Sequence, residues 1–224
     1  MTINADEVDV MPYPSLGATI VQRLQRSIVN GEYSRGEHLR ETELAELFKV
    51  SRGPVRDALQ VLDSEGWVEI RPRIGAFVRN PTQREVDEFF HVKGILETET
   101  ARLAASVATE PDIESLRVFL SLGRQAVERK DTQALADLST RFHSRLAEMC
   151  GNTMLIEILR PVQKRFPFFF TFSAGPRNKN AWVEHEALVD AVSAGDPDRA
   201  AQIMREHSDA TRASYHDQMA TDAG

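Results

Sequence analysis

Residues 41–78 read ETELAELFKVSRGPVRDALQVLDSEGWVEIRPRIGAFV, and the order of elements in this stretch decides the fold. Leu44, Ala45 and Phe48 suit one face of a short helix, and the small Ala45 lets a second helix cross close by. Lys49-Val50 makes a tight turn, with Val50 expected to plug the core. Ser51 is placed to cap the second helix through its hydroxyl, and Pro54 falls in the first turn, where a missing N–H costs little. Val55, Ala58, Leu59 and Leu62 form the inward stripe of that helix. Arg52 and Arg56, one turn apart, share its outward face near the N-terminus, where a recognition helix meets the major groove. Arginine suits that place because its fork can contact guanine O6 and N7 together. Val68–Arg71 and Ala76–Arg79 alternate as two strands, and the turn Pro72-Arg73-Ile74-Gly75 between them presents Arg73 as a wing. Gly75 would let the backbone pass close to a phosphate or groove wall. Two solvated arginines on a helix are ordinary by themselves. Helix, turn, capped helix and basic hairpin in this order are not.

Downstream the texture changes. Pro81 biases Asn80 away from helix, so Arg79–Thr82 reads as a hinge, and Thr82 with Glu85 has the spacing of a capping box. From there the pattern is almost wholly helical, with about six helices. Val86, Phe89, Phe90, Leu96, Leu103 and Val107 trace a face of the first, and Ile113, Leu116, Leu120 and Val127 a face of the second, which Pro111 and Asp112 initiate. Leu135, Leu138, Phe142, Leu146 and Met149 mark the third, ended by Gly151. Asn152 caps a fourth over Met154–Phe170, bent by Pro161 and Pro167; Lys179–Ala194 and Pro197–Met219, the latter capped by Asp196, complete the set. The fold class is therefore mainly α: an N-terminal winged helix-turn-helix over 15–79, a linker at 80–84 and an all-α antiparallel bundle over 85–219, with flexible tails at 1–14 and 220–224.

Charge restricts which part can meet nucleic acid. The 224 residues carry a net charge of −7, but residues 15–80 hold ten Lys/Arg against nine Asp/Glu, whereas 81–224 hold 17 against 22. Only the N-terminal third approaches a phosphate backbone without strong repulsion. No apolar run reaches the ~18–20 residues that span a bilayer, the acidic N-terminus lacks the features of a secretory signal, and the lone Cys150 forms no internal disulfide. The expected setting is cytoplasmic, away from any membrane.

At this point the sequence resembles the GntR transcription regulators. The resemblance is carried by Leu24…Ile28-Val29-Asn30-Gly31, Gly36-Glu37-His38-Leu39, Glu43-Leu44-Ala45, Val50–Leu59, Leu62…Glu65-Gly66 and Gly75–Val78. It implies that Arg52 and Arg56 read an operator, with Ser51, Pro54, Arg73 and Gly75 in the same DNA-binding surface. Lys49 stands where the family usually has glycine, which implies a strained turn, and Thr42 stands where some relatives carry a DNA-contacting arginine. The helical half is similar to the FCD effector domain of one subgroup, the FadR subfamily. The matching pieces are Leu96-Glu97…Ala101–Ala105, Phe142-His143…Gly151-Asn152, Glu184-His185…Ala191-Val192…Gly195-Asp196, and His207.

Three histidines stand out within that half. His185 shares a face with Trp182, Leu188 and Val192, and His207 with Ile203, Met204, Ala210 and Thr211; His143 borders Leu138, Phe142 and Leu146. A single inward histidine is usually a satisfied core residue, but three on separate helices can converge, and neutral imidazole is a common metal ligand. By resemblance, FCD domains often bind a divalent metal through three His and one Asp, the Asp four residues before the first His. Here that position is Ser139. Asp137, six residues from His143, sits about 120° off the ligand face and is no substitute. Zinc, nickel or a similar ion with three His and an exchangeable position is the expected arrangement. A small organic acid is the expected effector, held by His143, His185, His207, Ser139 and Lys93. Lys93 stands where relatives tend to have arginine, and also four residues before Glu97, the spacing of an ordinary surface ion pair. Phe166, Phe168, Phe169, Phe170 and Phe172 could wall a pocket or be plain core or dimer contact.

The expected function is a homodimeric, ligand-responsive transcription repressor on a near-palindromic double-stranded operator, because two-fold protein symmetry imposes that on the site. The alternatives are a metal-dependent enzyme with an appended winged helix, or a winged helix that docks protein. Neither HExxH, GxSxG nor a glycine-rich phosphate loop is present, and no general base follows from spacing. The expectation is therefore a protein that is not an enzyme.

Overall fold

The computed structural model describes residues 16–171 and 177–222, so the tail expected at 1–14 and Phe172 lie outside the described residues, as does the side chain of Phe170. The chain divides into two compact units, one ending at Arg79 and the other beginning at Asn80.

The first unit runs α1 (Leu16–Val29), β1 (His38–Leu39), α2 (Glu41–Phe48), α3 (Arg52–Ser64), β2 (Val68–Arg71) and β3 (Gly75–Val78). Apolar periodicity puts Ile20, Leu24 and Ile28 of α1, Leu44 of α2, and Val55, Leu59 and Leu62 of α3 into one core, closed by Trp67 and Val68. The strands form an antiparallel sheet in the order β1-β3-β2, with Ile70 opposite Ala76 and Arg71 opposite Gly75. This is a helix-turn-helix followed by a winged hairpin.

Two local expectations need adjustment. Ser51 occupies the extended cap position of α3 (φ −72°, ψ 167°), but its hydroxyl makes no capping hydrogen bond. Val50 is only half-buried and closes the turn through its backbone, its N–H donating to Ala45 O at 3.0 Å. Gly75 also has a packing role: at φ +136° a Cβ there would lie 2.3 Å from His38 Nε2, so the glycine makes room for an imidazole that stacks on Phe77. Lys49 does adopt the left-handed conformation (φ 56°), which costs a side-chain-bearing residue about 1 kcal/mol or more.

The second unit is all helix: α4 (Gln83–Val107), α5 (Glu110–Arg129), α6 (Thr132–Glu148), α7 (Thr153–Thr171), α8 (Asn178–Ser193) and α9 (Pro197–Asp222). Helix α4 packs along α9, α5 packs on α6 and α8, and α6 on α7. The punctuation residues act as their chemistry dictates. Thr82 and Glu85 form the reciprocal capping box, while Asn152 and Asp196 accept from the N–H groups of Leu155 and Arg199, each at 3.0 Å. Residues 83 and 84 are therefore helix rather than linker, and α9 continues past Met219 to Asp222.

The buried face of α4 differs from its apolar trace. Val107 is exposed, Leu96 and Leu103 are half-buried, and the inward positions include Lys93, Glu97 and Thr100. In α5, Ala126 rather than Val127 is buried. Helix α8 lies close to α5 because Gly123 has no side chain: a Cβ there would sit 2.3 Å from the Trp182 ring. Phe166, Phe168 and Phe169 are core, with Phe169 stacked on Phe89 at 4.2 Å.

Candidate functional sites: an arginine face and a buried histidine cluster

In the first unit α2 and α3 bring three charged side chains together. Arg52 donates from Nε (3.3 Å) and Nη2 (2.9 Å) to Glu41 Oε2. Arg56 donates from Nε to Glu41 Oε1 (3.0 Å) and from Nη2 to Oε2 (2.8 Å). Those hydrogen bonds, from Arg56 first and Arg52 second, pull the Glu41 carboxyl down to about 2. A cleft of about 510 Å³ opens between α3 and the wing, lined by Arg52, Arg56, Thr42, Arg71, Arg73 and Gly75 among others. Arg73 sits at the wing tip with φ +65°, beside an exposed Ile74. Sequence reading placed Arg52, Arg56, Arg73 and Gly75 around one surface, and the fold brings them to one cleft. Thr42 is exposed on its rim, and Ser51 is exposed at the start of α3. Glu41 was missed. Its only sequence signal is that it opens α2, and which side chains it meets depends on how the two helices cross.

In the second unit the three histidines converge. His143 on α6, His185 on α8 and His207 on α9 are all buried, and each offers a nitrogen within 4.8 Å of the other two. His143 Nε2 and His185 Nε2 are 3.2 Å apart. Their rings are held by packing: Phe142 stacks on His185 at 4.3 Å, and Trp182 meets the same ring edge-on at 4.9 Å.

Two carboxylates approach the opposite ring edges. His207 Nδ1 bonds Glu184 Oε2 at 2.8 Å, and Glu97 Oε1 lies 3.4 Å from His143 Nδ1. That second approach is poorly aligned for a hydrogen bond, and neither atom has another hydrogen-bond partner among the described residues. The other oxygen of Glu97 takes the Lys93 ammonium, which also lies over the Phe166 ring at 4.4 Å. Lys93–Glu97 is therefore a buried pair and not a surface one.

Arg177 completes the outer layer. It grips Glu184 at 2.6 and 3.2 Å and donates to His207 O at 3.0 Å. Ser139 is buried one turn before His143, whereas Asp137 is exposed and faces Arg141.

Burial drives the proton balance. It pushes His143 and His185 well below the usual imidazole range, and the nearby Lys93 and His207 push the same way. Burial also lowers His207, against the opposing hydrogen bond to Glu184. Burial by itself would raise the Glu184 carboxyl, but hydrogen bonds from His207 and Arg177 outweigh it and hold the group low. Neutral imidazole is the form a metal ligates, and an ion here would take the place of the hydrogen bond that joins the Nε2 atoms of His143 and His185. Tetrahedral zinc with Zn–N bonds of ~2.0–2.1 Å separates its nitrogens by roughly 3.3 Å, close to the spacing of the His143–His185 pair. Carboxylates at the far ring nitrogens are the usual orienting partners of metal-bound histidine. The residues present fit a divalent ion. Sequence reading quoted Glu97 and Glu184 only as family-matching residues, Glu97 also as a surface partner of Lys93, and passed over Arg177, because each is an ordinary polar residue until the helices pack.

Comparison with known proteins gives the frame. Residues 16–78 match the profile described as "Bacterial regulatory proteins, gntR family", and residues 88–210 match the FCD domain. The chain belongs to the GntR family of bacterial regulators, in the branch that carries an FCD domain. It is 28% identical to the HTH-type transcriptional repressor RspR of Escherichia coli K12, over 90% of this chain and 89% of that protein. It is 26% identical to the gluconate operon transcriptional repressor of Bacillus subtilis, over 86% of this chain and 81% of that one. Among solved structures, Escherichia coli McbR/YncC shares the fold at a TM-score of 0.76 and 22% identity, covering 92% of this chain and 99% of that one. As a GntR–FCD protein, the chain is a DNA-binding transcription regulator with an effector-binding domain.

Proposed function

We propose that the chain is a homodimeric repressor whose operator contacts come from Arg52, Arg56 and the Arg73 wing. Its helical unit holds a divalent metal through His143, His185 and His207, and there senses a small organic acid. The observation that carries this reading is the convergence of three neutral, buried imidazoles, two of them backed by carboxylates. Burying three imidazoles together costs desolvation, which a ligand shared by all three would offset.

A bound metal would supply a Lewis-acidic position open to a carboxylate oxygen. The three histidines would hold it, with Glu184 and Glu97 orienting the His207 and His143 rings. Ser139 leaves the fourth position to an exchangeable group rather than a fixed carboxylate. Lys93 is already neutralised by Glu97, so an acid that recruits it must compete with that carboxylate. A repressor named for the gluconate operon among the relatives supports a carboxylate as the ligand class. Among the described residues the carboxylates beside the triad are tied to cations, Glu97 through Oε2 to Lys93 and Glu184 to Arg177, and this pairing supports sensing over hydrolysis.

In the first unit, the Ser51 hydroxyl, Pro54 in the first turn and the N-terminus of α3 suit a phosphate, with Thr42 and Gly75 bordering the cleft. Arg52 and Arg56 then face base edges. Gel-shift titration on DNA upstream of the chain's own gene, with and without organic acids, tests the reading. Retarded bands that dissolve on addition of one acid support it. Unchanged migration of all DNA at low salt would remove the DNA-binding half, and retardation indifferent to every acid would remove the effector half.

A further inference from the structure

Glu41 sits between the two arginines that the proposed operator contacts require, and its geometry is specific. Each guanidinium has five N–H donors in a planar fork. Both arginines give Glu41 the same two, from Nε and Nη2. Each keeps both Nη1 donors and the second Nη2 donor, which together form the end-on fork that matches guanine O6 and N7. Among the described residues no third cation pairs with this carboxylate, Arg40 pairing instead with Glu43 at 2.9 Å. We propose that Glu41 is a positioning residue for DNA recognition, which holds Arg52 and Arg56 by their Nε/Nη2 edges and leaves their end-on edges to read bases.

Three consequences follow from the arrangement. Two long side chains on α3 are tied to α2 before DNA arrives, so less rotamer freedom is lost on binding. The face carries one net positive charge in place of two. A phosphate approaching the arginines also meets the Glu41 oxygens and is repelled, whereas a neutral base acceptor is not. Glu41 thus favours bases over backbone. Its carboxyl, held at about 2, stays ionised at any working pH.

This inference rests on the reading of Arg52 and Arg56 as operator contacts, and the test separates the two. Anisotropy titrations compare wild type, Glu41→Gln and Glu41→Asp on two duplexes at several salt concentrations. One duplex is selected in vitro with the wild-type protein and the other is random. Glu41→Gln should lose about tenfold on the selected duplex, the scale of a lost charge-assisted bond. On the random duplex it should bind as well or better, with a salt slope steeper by ~0.9, one extra phosphate contact. Glu41→Asp, which keeps the charge, should return the random-duplex slope to the wild-type value. An unchanged ratio of selected to random affinity overturns the proposal. So does a parallel gain on both duplexes, which would mean plain repulsion, or a parallel fall with a lower Tm, which would mean a structural role. Arg52→Ala and Arg56→Ala are measured alongside. If they change nothing, the operator reading fails; if they weaken selected binding while Glu41→Gln keeps the ratio, only the Glu41 inference fails.

Discussion

The two units handle charge in opposite ways. In the first, Arg52 and Arg56 are exposed and share one carboxylate in reach of solvent, so a net positive charge and the outer edges of both guanidinium groups stay open to a partner. In the second, Lys93, Glu97, His143, His185 and His207 are buried, and removing one partner leaves another without solvent or a mate. A surface that must exchange partners keeps its charges wet. A site that must hold one ligand in one geometry keeps them dry. The comparison predicts that substitutions at the arginine face change binding and leave stability alone, whereas those in the buried cluster change stability and ligand content together.

The largest effect should come from the histidines. Replacing both His143 and His185 by alanine should take bound metal from about one ion per chain to none, checked by elemental analysis after loading with zinc or nickel. Wild type should gain about 2.7 kcal/mol of stability at a metal concentration a hundredfold above Kd, and the double variant none. Metal absent from loaded wild type would mark the three as plain core residues. The sign of the pH dependence follows from burial. These imidazoles have folded-state values below 6.5. The metal-free protein should thus be most stable above that pH and lose stability as pH falls through it, because the unfolded chain takes up the protons first.

Arg52→Ala should come next, with about 1–3 kcal/mol lost in operator binding and a melting temperature within error of wild type. A variant that melts early yet binds normally would break the comparison. Gly123→Ala sharpens it from the other side. It forces a methyl into Trp182 and should cost about 1–3 kcal/mol of stability by overpacking. Metal affinity should fall with it, since Trp182 abuts His185. The smallest effect belongs to Lys49→Gly, which relieves the left-handed turn and should stabilise the first unit by roughly 0.5–1 kcal/mol.

The same contrast explains what could be read in advance. The winged helix was legible because its signals are local: the residues that turn and pack, and those proposed to contact DNA, all fall within one short run, and the periodicity of α3 alone puts Arg52 and Arg56 outside. Helix ends in the second unit were equally legible through Thr82, Asn152 and Asp196, whose side chains act on the next turn. The histidines were found by their apolar neighbours and by family resemblance, but their partners were not. Glu97 lies on a face of α4 that an apolar count misplaces, because Lys93 and Thr100 share it. Glu184 meets His207 only when α8 packs on α9. Pairings between helices are not written in any single helix, and Glu41, whose partners belong to the next helix, was missed for the same reason.

The central claim is that the buried cluster controls the exposed face. Coupling of this kind requires the acid to bind one state of the protein better than the other. The direct measurement is operator affinity of the metal-loaded protein with and without the organic acid, for wild type and for His207→Ala. Wild type should bind about 5- to 150-fold more weakly when the acid is present. His207→Ala should match wild type without the acid and show no change when it is added. A His207→Ala protein that releases DNA as wild type does would contradict the account.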